Sequence, residues 1–243
     1  MDSEHFSIWY GLNNYKSSSI DKIYLTASGG PFVNLPLKNF KKIKIKHALN
    51  HPNWTMGKKI SIDSATMINK VYEVIEAKNI FNINYKNIKI LLHPSSYVHA
   101  IIKFENGLIK LIAHDTTMKI PIFNTLYFNQ SKKIISKELK VNILNNLKFN
   151  TVDIKRYPMI KLLKFLPAKS SLYETIIVSA NDCLVELFLK EKIVFSNIQK
   201  ELFKIIHLKE FISYKKKVPN NVEDILNLNK YVRLKLIKKV YKT

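Results

Sequence analysis

Residues 97–113 read YVHAIIKFENGLIKLIA, and this stretch decides the fold class. Two apolar runs, Tyr97–Phe104 and Leu108–Ala113, flank Glu105-Asn106-Gly107. Asn-Gly between two strand-like runs is a hairpin signal, because the turn needs residues that tolerate a left-handed backbone. Upstream, Lys22–Leu25 reads as a short strand before the turn Thr26-Ala27-Ser28-Gly29-Gly30-Pro31, and Lys89–Leu92 as another apolar run. From Ser64 to about Lys78 the period changes: Met67, Val71, Val74 and Ile75 recur at three- and four-residue steps, as on a helix face. Residues 1–127 are therefore expected to form an α/β (α+β) domain with a mixed sheet and an antiparallel hairpin.

Residues 128–155 are rich in lysine and asparagine with weak periodicity, and read as a linker or arm. Residues 156–243 read as an all-α helical bundle. Leu172–Lys190 is one amphipathic stretch, and Ser196 with Gln199 has the spacing of a capping box for the next helix. Asn221 can cap a third helix, in which Ile225, Leu228, Val232, Leu236 and Val240 form an apolar stripe, read as core. Lys215–Lys217 reads as an exposed loop.

Composition sets further bounds. The 243 residues carry 40 Lys+Arg against 18 Asp+Glu, a formal charge of +22 that points to a polyanionic partner or to codon bias. Only Arg156 and Arg233 are arginine, while lysine accounts for the other 38 and asparagine for 24. Surfaces that read nucleic acid favour the planar fork of arginine, whereas Lys, Asn and Ile are what AT-rich codons supply. Codon bias is the reading adopted, and neither a nucleic-acid nor a membrane partner is expected. The five glycines form no G-x-G-x-x-G or Walker loop, so no glycine-rich nucleotide fold is expected within this sequence. A lone Cys183 excludes a disulfide framework and a cysteine zinc site. No apolar run is long enough to span a membrane. The start, MDSEHFSIWY, lacks the basic-then-apolar pattern of a signal peptide, so a cytoplasmic location is expected.

Four segments concentrate polar residues where a plain core would not. In Asp2-Ser3-Glu4-His5, an extended backbone would turn Asp2 and Glu4 to one side as two carboxylates for a hard cation; alone, the tetrapeptide reads equally as a solvated acidic terminus. In Ser61–Glu73, Ser64 or Asp63 is a natural helix N-cap, which would make a phosphate-binding helix start. Asn69, Lys70 and Glu73 then share one face by their three- and four-residue spacing, able to hold hydroxyls, a phosphate and a metal, or simply to form a solvated ion pair. In His51-Pro-Asn-Trp-Thr-Met-Gly57, Trp54 could cover a ligand and His51 donate to a phosphate; a packed surface loop is the alternative. The turn Ser28-Gly29-Gly30 could bind an anion or be only a tight turn. His93, His99 and His5 read equally as site or structural histidines.

Taken together, DSEH, LTASGGPF, HPNWTMGKKISIDSATMINKVYEVIEA and LLHPSSYVHAII strongly resemble the 1-deoxy-D-xylulose 5-phosphate reductoisomerase family. The resemblance runs from residue 2 to about residue 125 and continues more loosely to the C-terminus. It implies a metal-dependent skeletal rearrangement of 1-deoxy-D-xylulose 5-phosphate, then reduction by NADPH to 2-C-methyl-D-erythritol 4-phosphate, in non-mevalonate isoprenoid biosynthesis. It implies Asp2, Glu4 and Glu73 as ligands of Mn²⁺ or Mg²⁺ (or Co²⁺), acting as Lewis acid and template. Ser3, Ser28, His51, Ser64, Asn69, Lys70 and Glu73 would hold the sugar phosphate. Trp54 and Met56 would form the closing flap, with Gly57 near the nicotinamide cofactor. Glu4 and Glu73 would be the catalytic carboxylates, with Glu4 or a metal-bound oxygen the candidate for moving the proton. A homodimer is implied as well.

Three departures stand out. The family's N-terminal NADPH-binding domain and its Lys-Glu pair before DSEH have no counterpart in this sequence. The usual Pro-Asp-Met after the hairpin is Thr116-Thr117-Met118, and Ser179-Ala180-Asn181-Asp182 ends in Asp where Glu is usual. The expectation is a truncated or split reductoisomerase, completed by a separate NADPH-binding half. The alternatives are a decaying gene and a remnant kept for another role. The rival from a different class is a non-catalytic basic nucleic-acid-binding protein, which would bind DNA or RNA with steep salt dependence.

Overall fold

A computed structural model describes residues 2–13, 19–128 and 130–240. In chain order the elements begin with α1 (Ser3–Gly11), β1 (Ile20–Ala27), α2 (Ile45–Leu49), α3 (Lys58–Thr66) and α4 (Ile68–Phe81). The sheet continues with β2 (Ile88–Leu92), β3 (Val98–Phe104) and β4 (Ile109–Ala113), followed by α5 (Lys119–Leu126), α6 (Val141–Asn145) and β5 (Asn150–Thr151). The rest is helical: α7 (Leu172–Leu189), α8 (Phe195–Ile206), α9 (Lys209–Ile212) and α10 (Val222–Val240). The chain divides into two compact units that interleave along the sequence. The first comprises Met1–Val33, His51–Thr55 and Asn69–Asp153; the second comprises Asn34–Asn50, Met56–Ile68 and Ile154–Thr243.

The first unit is built on a five-stranded sheet in the order β4-β3-β1-β2-β5. β1 and β2 run parallel, with Ile23 opposite Ile88 and Ala27 opposite Leu92, while the other pairs are antiparallel, so the sheet is mixed as expected. The β3–β4 hairpin turns at Gly107, whose φ of 86° is the left-handed conformation that costs glycine nothing. Ile23, Leu25 and Ile102 are fully buried, each contributing roughly 1.5–3 kcal/mol, and Ala100 is buried beside them. α1 lies on this sheet so closely that a Cβ on Gly11 would sit 2.7 Å from Ile102 Cδ1. Within the stretch read as a linker, Asn150–Thr151 pairs with β2 and forms the sheet's edge.

The second unit gathers around α7, which packs against α3, α8 and α10. Ser171 caps α7: its Oγ accepts from the Tyr173 N–H at 3.1 Å, and Glu174 Oε2 accepts from the Ser171 N–H at 3.1 Å. The capping box expected at Ser196 and Gln199 is absent, since α8 starts at Phe195 and its N-cap is Val194. Phe195 is buried against Phe188, ring centroids 5.7 Å apart, and the helix starts two residues earlier than the polar spacing suggests. Asn221 does cap α10, its Oδ1 accepting from the Asp224 N–H at 2.9 Å. The α10 stripe is core at Leu228, Val232 and Leu236, whereas Ile225 is exposed and the Val240 side chain lies outside the described residues. Residues 213–216, at the expected lysine loop, form a 3-10 turn.

One helix read as continuous is two. α3 already contains Asp63 and Ser64, so neither is an N-cap, and no helix start stands at Ser64 to bind phosphate. The chain breaks at Met67, which adopts φ 64°, and α4 starts at Ile68. Apolar periodicity runs through the break because Met67 is itself buried.

Candidate metal and phosphate site

The cluster is assembled by two helices of the first unit. Asp2 is the N-cap of α1, where its Oδ1 accepts from the His5 N–H at 2.7 Å, one of the donors a helix start leaves without a partner. The segment is thus a helix start rather than an extended strand, and the expected two-residue alternation does not apply. Asp2 and Glu4 nevertheless converge, because Asp2 stands at the cap and Glu4 in the first turn above it. α4 supplies Asn69, Lys70 and Glu73 at the spacing read from the sequence. Asn69 Nδ2 donates to Glu73 Oε1 at 2.6 Å. Lys70 Nζ lies between Glu4 Oε1 at 2.6 Å and Glu73 Oε2 at 2.8 Å. Ser3 Oγ donates to the other Glu4 oxygen at 2.6 Å. Oxygens of Asp2, Glu4 and Glu73 lie within 4.8 Å of one another.

The charged groups of this cluster act strongly on one another. Burial pushes the Glu4 carboxyl up, but the Lys70 ammonium outweighs it and holds the group at about 2. Glu73 is pushed well above the usual carboxylate range, by burial first and then by the negative charge of Glu4. Burial works against the Lys70 ammonium, yet the two carboxylates raise its pKa. Three carboxylates thus converge around one ammonium in a poorly solvated place. All-oxygen donors at this spacing fit a hard divalent ion of the Mg²⁺ or Mn²⁺ type.

Asp2, His5 and Glu76 form a second group with metal-ligand spacing. Here the histidine takes the cation's place. His5 Nδ1 lies 2.9 Å from Asp2 Oδ2 and 3.6 Å from Glu76 Oε2, and Nε2 lies 3.0 Å from the Glu73 carbonyl oxygen. Both ring nitrogens face acceptors, which favours the protonated ring. Its pKa is raised accordingly: burial opposes the charge, but Asp2 prevails.

The second constellation joins the Ser28 turn to the His51 loop. His51 Nδ1 accepts from the backbone N–H groups of Asn53 at 3.2 Å and Trp54 at 3.0 Å, so the proton sits on Nε2. Nε2–H donates to Ser28 Oγ at 3.1 Å, and the Gly30 N–H donates to the same oxygen at 3.0 Å. With two bonds accepted, the Ser28 hydroxyl is left to donate outward. This tautomer makes His51 a donor rather than a base for Ser28, an arrangement for holding an anion and not for nucleophilic attack. Burial, and then Lys70, lower the His51 pKa.

Asn53 and Trp54 contact the loop after β2 and the start of β3. Asn53 Nδ2 donates to the Pro94 carbonyl at 2.6 Å and to Ser96 Oγ at 2.8 Å. The Trp54 ring stands edge-on to His99, 6.2 Å between centroids. His99 stacks on His114 at 3.8 Å, and its Nε2–H donates to the His114 carbonyl at 3.2 Å. Burial first, and then His114, push the His99 pKa down to about 4. His93 is held by the Lys148 carbonyl at 2.8 Å and by Ser95 Oγ at 2.9 Å, a structural arrangement. Sequence reasoning misses Asn53 and His114. Asn53 lies within the His51–Gly57 loop, where its amide is a signal of sorts, whereas nothing in the sequence pairs His114 with His99.

The remaining candidates lie in the second unit. Gly57 is the N-cap of α3, with open space where a Cβ would stand. Met56 precedes it and is half-buried. Ser64 is inside α3 and partly exposed, between the buried Asp63 and Ala65.

Two family models match the chain: "1-deoxy-D-xylulose 5-phosphate reductoisomerase C-terminal domain" over residues 1–81 and "DXP reductoisomerase C-terminal domain" over residues 115–235. The 1-deoxy-D-xylulose 5-phosphate reductoisomerase of Pelagibacter ubique is 58% identical over 236 residues, which span 97% of this chain and 61% of that protein. The corresponding protein of Sulfurihydrogenibium sp. is 40% identical, over 82% of this chain and 53% of its own length. Among solved structures, DOX-P reductoisomerase in complex with NADPH, fosmidomycin and magnesium matches at a TM-score of 0.87 and 32% identity, covering 99% of this chain and 62% of that one. The Zymomonas mobilis enzyme in complex with NADPH matches at a TM-score of 0.84 and 30% identity, over 98% and 60%. The chain thus spans about three fifths of the length of the relatives it matches over nearly its whole extent.

Proposed function

Because the chain belongs to the 1-deoxy-D-xylulose 5-phosphate reductoisomerase family, we propose that its 243 residues supply the metal- and sugar-phosphate-binding part of that reaction. The reaction is the rearrangement of 1-deoxy-D-xylulose 5-phosphate followed by reduction with NADPH to 2-C-methyl-D-erythritol 4-phosphate. NADPH would be bound by protein outside these residues, either a further segment or a separate half. The observation that carries this reading is the convergence of Asp2, Glu4 and Glu73 around Lys70.

Asp2, Glu4 and Glu73 would hold Mg²⁺ or Mn²⁺. When bound, such an ion polarises the substrate carbonyl and the hydroxyl beside it. Asn69, Lys70 and Ser3 donate to the substrate's hydroxyl oxygens. Ser28, with its outward hydroxyl and its His51 support, takes the phosphate, and Ser64 is the second hydroxyl proposed for it. Glu4 is the residue we assign to moving the proton in the rearrangement. Trp54 and Met56 serve as the flap over the bound sugar, and Gly57 approaches the nicotinamide. We also propose that it acts as a cytoplasmic homodimer.

A thermal-shift titration with fosmidomycin and Mg²⁺, the ligands named for the related structures, tests the reading. A ligand that binds only the folded chain raises the midpoint by an amount that grows with its concentration. The expected result is an Mg²⁺-dependent rise that Glu73→Gln abolishes. An unchanged midpoint in a cooperatively folding wild type contradicts the proposal.

A further inference from the structure

Residues 51–55 of the first unit carry His51 and Trp54, yet they belong to no helix or strand. Among the described residues, no backbone–backbone hydrogen bond reaches them. Side chains must therefore hold this loop. Inside it, His51 Nδ1 gathers the N–H groups of Asn53 and Trp54. Outward, it is tied by hydrogen bonds at two places: His51 Nε2–H to Ser28 Oγ at 3.1 Å, and the Asn53 side chain to residues 94 and 96.

The acceptors that Asn53 meets are set in advance. The Ser96 N–H donates to the His93 carbonyl at 2.9 Å, and buried Ser96 is held left-handed at φ 53°, a conformation uncommon outside glycine. His93 donates its own N–H to the Ala27 carbonyl at 2.7 Å, so this turn is fastened to the end of β1, one residue before Ser28. A closed circuit results. It runs from Ser28 Oγ through the His51 ring to the Asn53 N–H, along the Asn53 side chain to Pro94 and Ser96, and back through His93 and Ala27 to Ser28. Asn53 suits its place chemically. A carboxamide NH₂ has two hydrogens, and the Pro94 carbonyl at 2.6 Å and Ser96 Oγ at 2.8 Å take one each.

We propose that Asn53 is a positioning residue: by closing this circuit it holds the His51 ring on Ser28, and so keeps the Ser28 hydroxyl turned outward to the phosphate of the substrate. The proposal rests on the functional reading above, in which Ser28 takes the phosphate. Asn53 acts through His51 and Ser28, and its contribution is to have them placed before the ligand arrives.

The test uses the full chain, with fosmidomycin in the presence of Mg²⁺ as the phosphonate probe and Mg²⁺ alone as the control. Asn53→Asp keeps the shape but sets a carboxylate against the Pro94 carbonyl. It is expected to weaken fosmidomycin about tenfold, the worth of two lost hydrogen bonds, while Mg²⁺ affinity stays unchanged. In a Ser28→Ala background the same substitution should cost nothing further, because the two side chains act as one unit. The ¹⁵N shifts of the His51 ring supply a readout that a purely structural residue would not move: the Nε2-protonated form should dominate in wild type and be lost in Asn53→Asp. Asn53→Ala should give the same pattern, which keeps the test decisive if the aspartate variant folds poorly. A lowered melting point with fosmidomycin affinity and the His51 tautomer intact would overturn the proposal, as would an equal loss of affinity with and without Ser28. Wild type that binds Mg²⁺ but no fosmidomycin would overturn the functional reading and take this proposal with it.

Discussion

Lys70 sits 5% exposed between two carboxylates, and its removal breaks both ion pairs at once. Lys70→Met leaves Glu4 and Glu73 facing each other without a cation, a loss that costs about 3–5 kcal/mol for a broken buried pair. Urea denaturation should register that loss, and Mg²⁺ should recover part of it by taking the ammonium's place. The histidines make a separate prediction about acid. Burial pushes His51, His93 and His114 down, and His99 down to about 4 from an ordinary 6.5. A depressed histidine pKa means the unfolded chain binds more protons between those values, so stability falls as pH drops from 6.5 to 4. For His99 the loss amounts to about 3 kcal/mol. His5, whose pKa is raised, does not offset it, since its contribution is already complete below pH 6.5. Melting temperatures of wild type and His99→Gln across that range should converge as the pH falls; parallel curves would show that His99 is not the group responsible.

At the level of elements, the α7 cap gives a clean expectation. Ser171→Ala removes the acceptor for the Tyr173 N–H and should cost about 1 kcal/mol, read as a lower urea midpoint with an unchanged slope. Elements whose determinants are local were legible. The Asn106-Gly107 turn, the β1 and β2 runs and the Asn221 cap each depend on residues close in sequence. The α3–α4 break was not, because buried Met67 keeps the apolar period while its backbone turns left-handed. Asp63 has the chemistry of a cap, yet its partner is Asn181, 118 residues away, and no local pattern reports that contact. The cap read at Ser196 failed for the opposite reason: Phe195 has an apolar contact at Phe188 that the polar spacing does not register.

Across the whole molecule, the residues of the site were readable while their geometry was not. The α4 face of Asn69, Lys70 and Glu73 followed from helix spacing alone, but its meeting with Asp2 and Glu4 joins segments some 66 residues apart. The interleaving of the two units has the same origin, since residues 34–50 and 56–68 group with the C-terminal helices through non-local packing. The central claim is that Asp2, Glu4 and Glu73 form a divalent-cation site, and paramagnetic broadening by Mn²⁺ tests it most directly. Substoichiometric Mn²⁺ should broaden the amide signals of His5, Asn69 and Glu73, while Gly107, a β3 length or roughly 20 Å beyond His99, keeps its intensity. Glu73→Gln should remove the local effect. Broadening spread over exposed acidic residues, or a local pattern that survives Glu73→Gln, would contradict the claim.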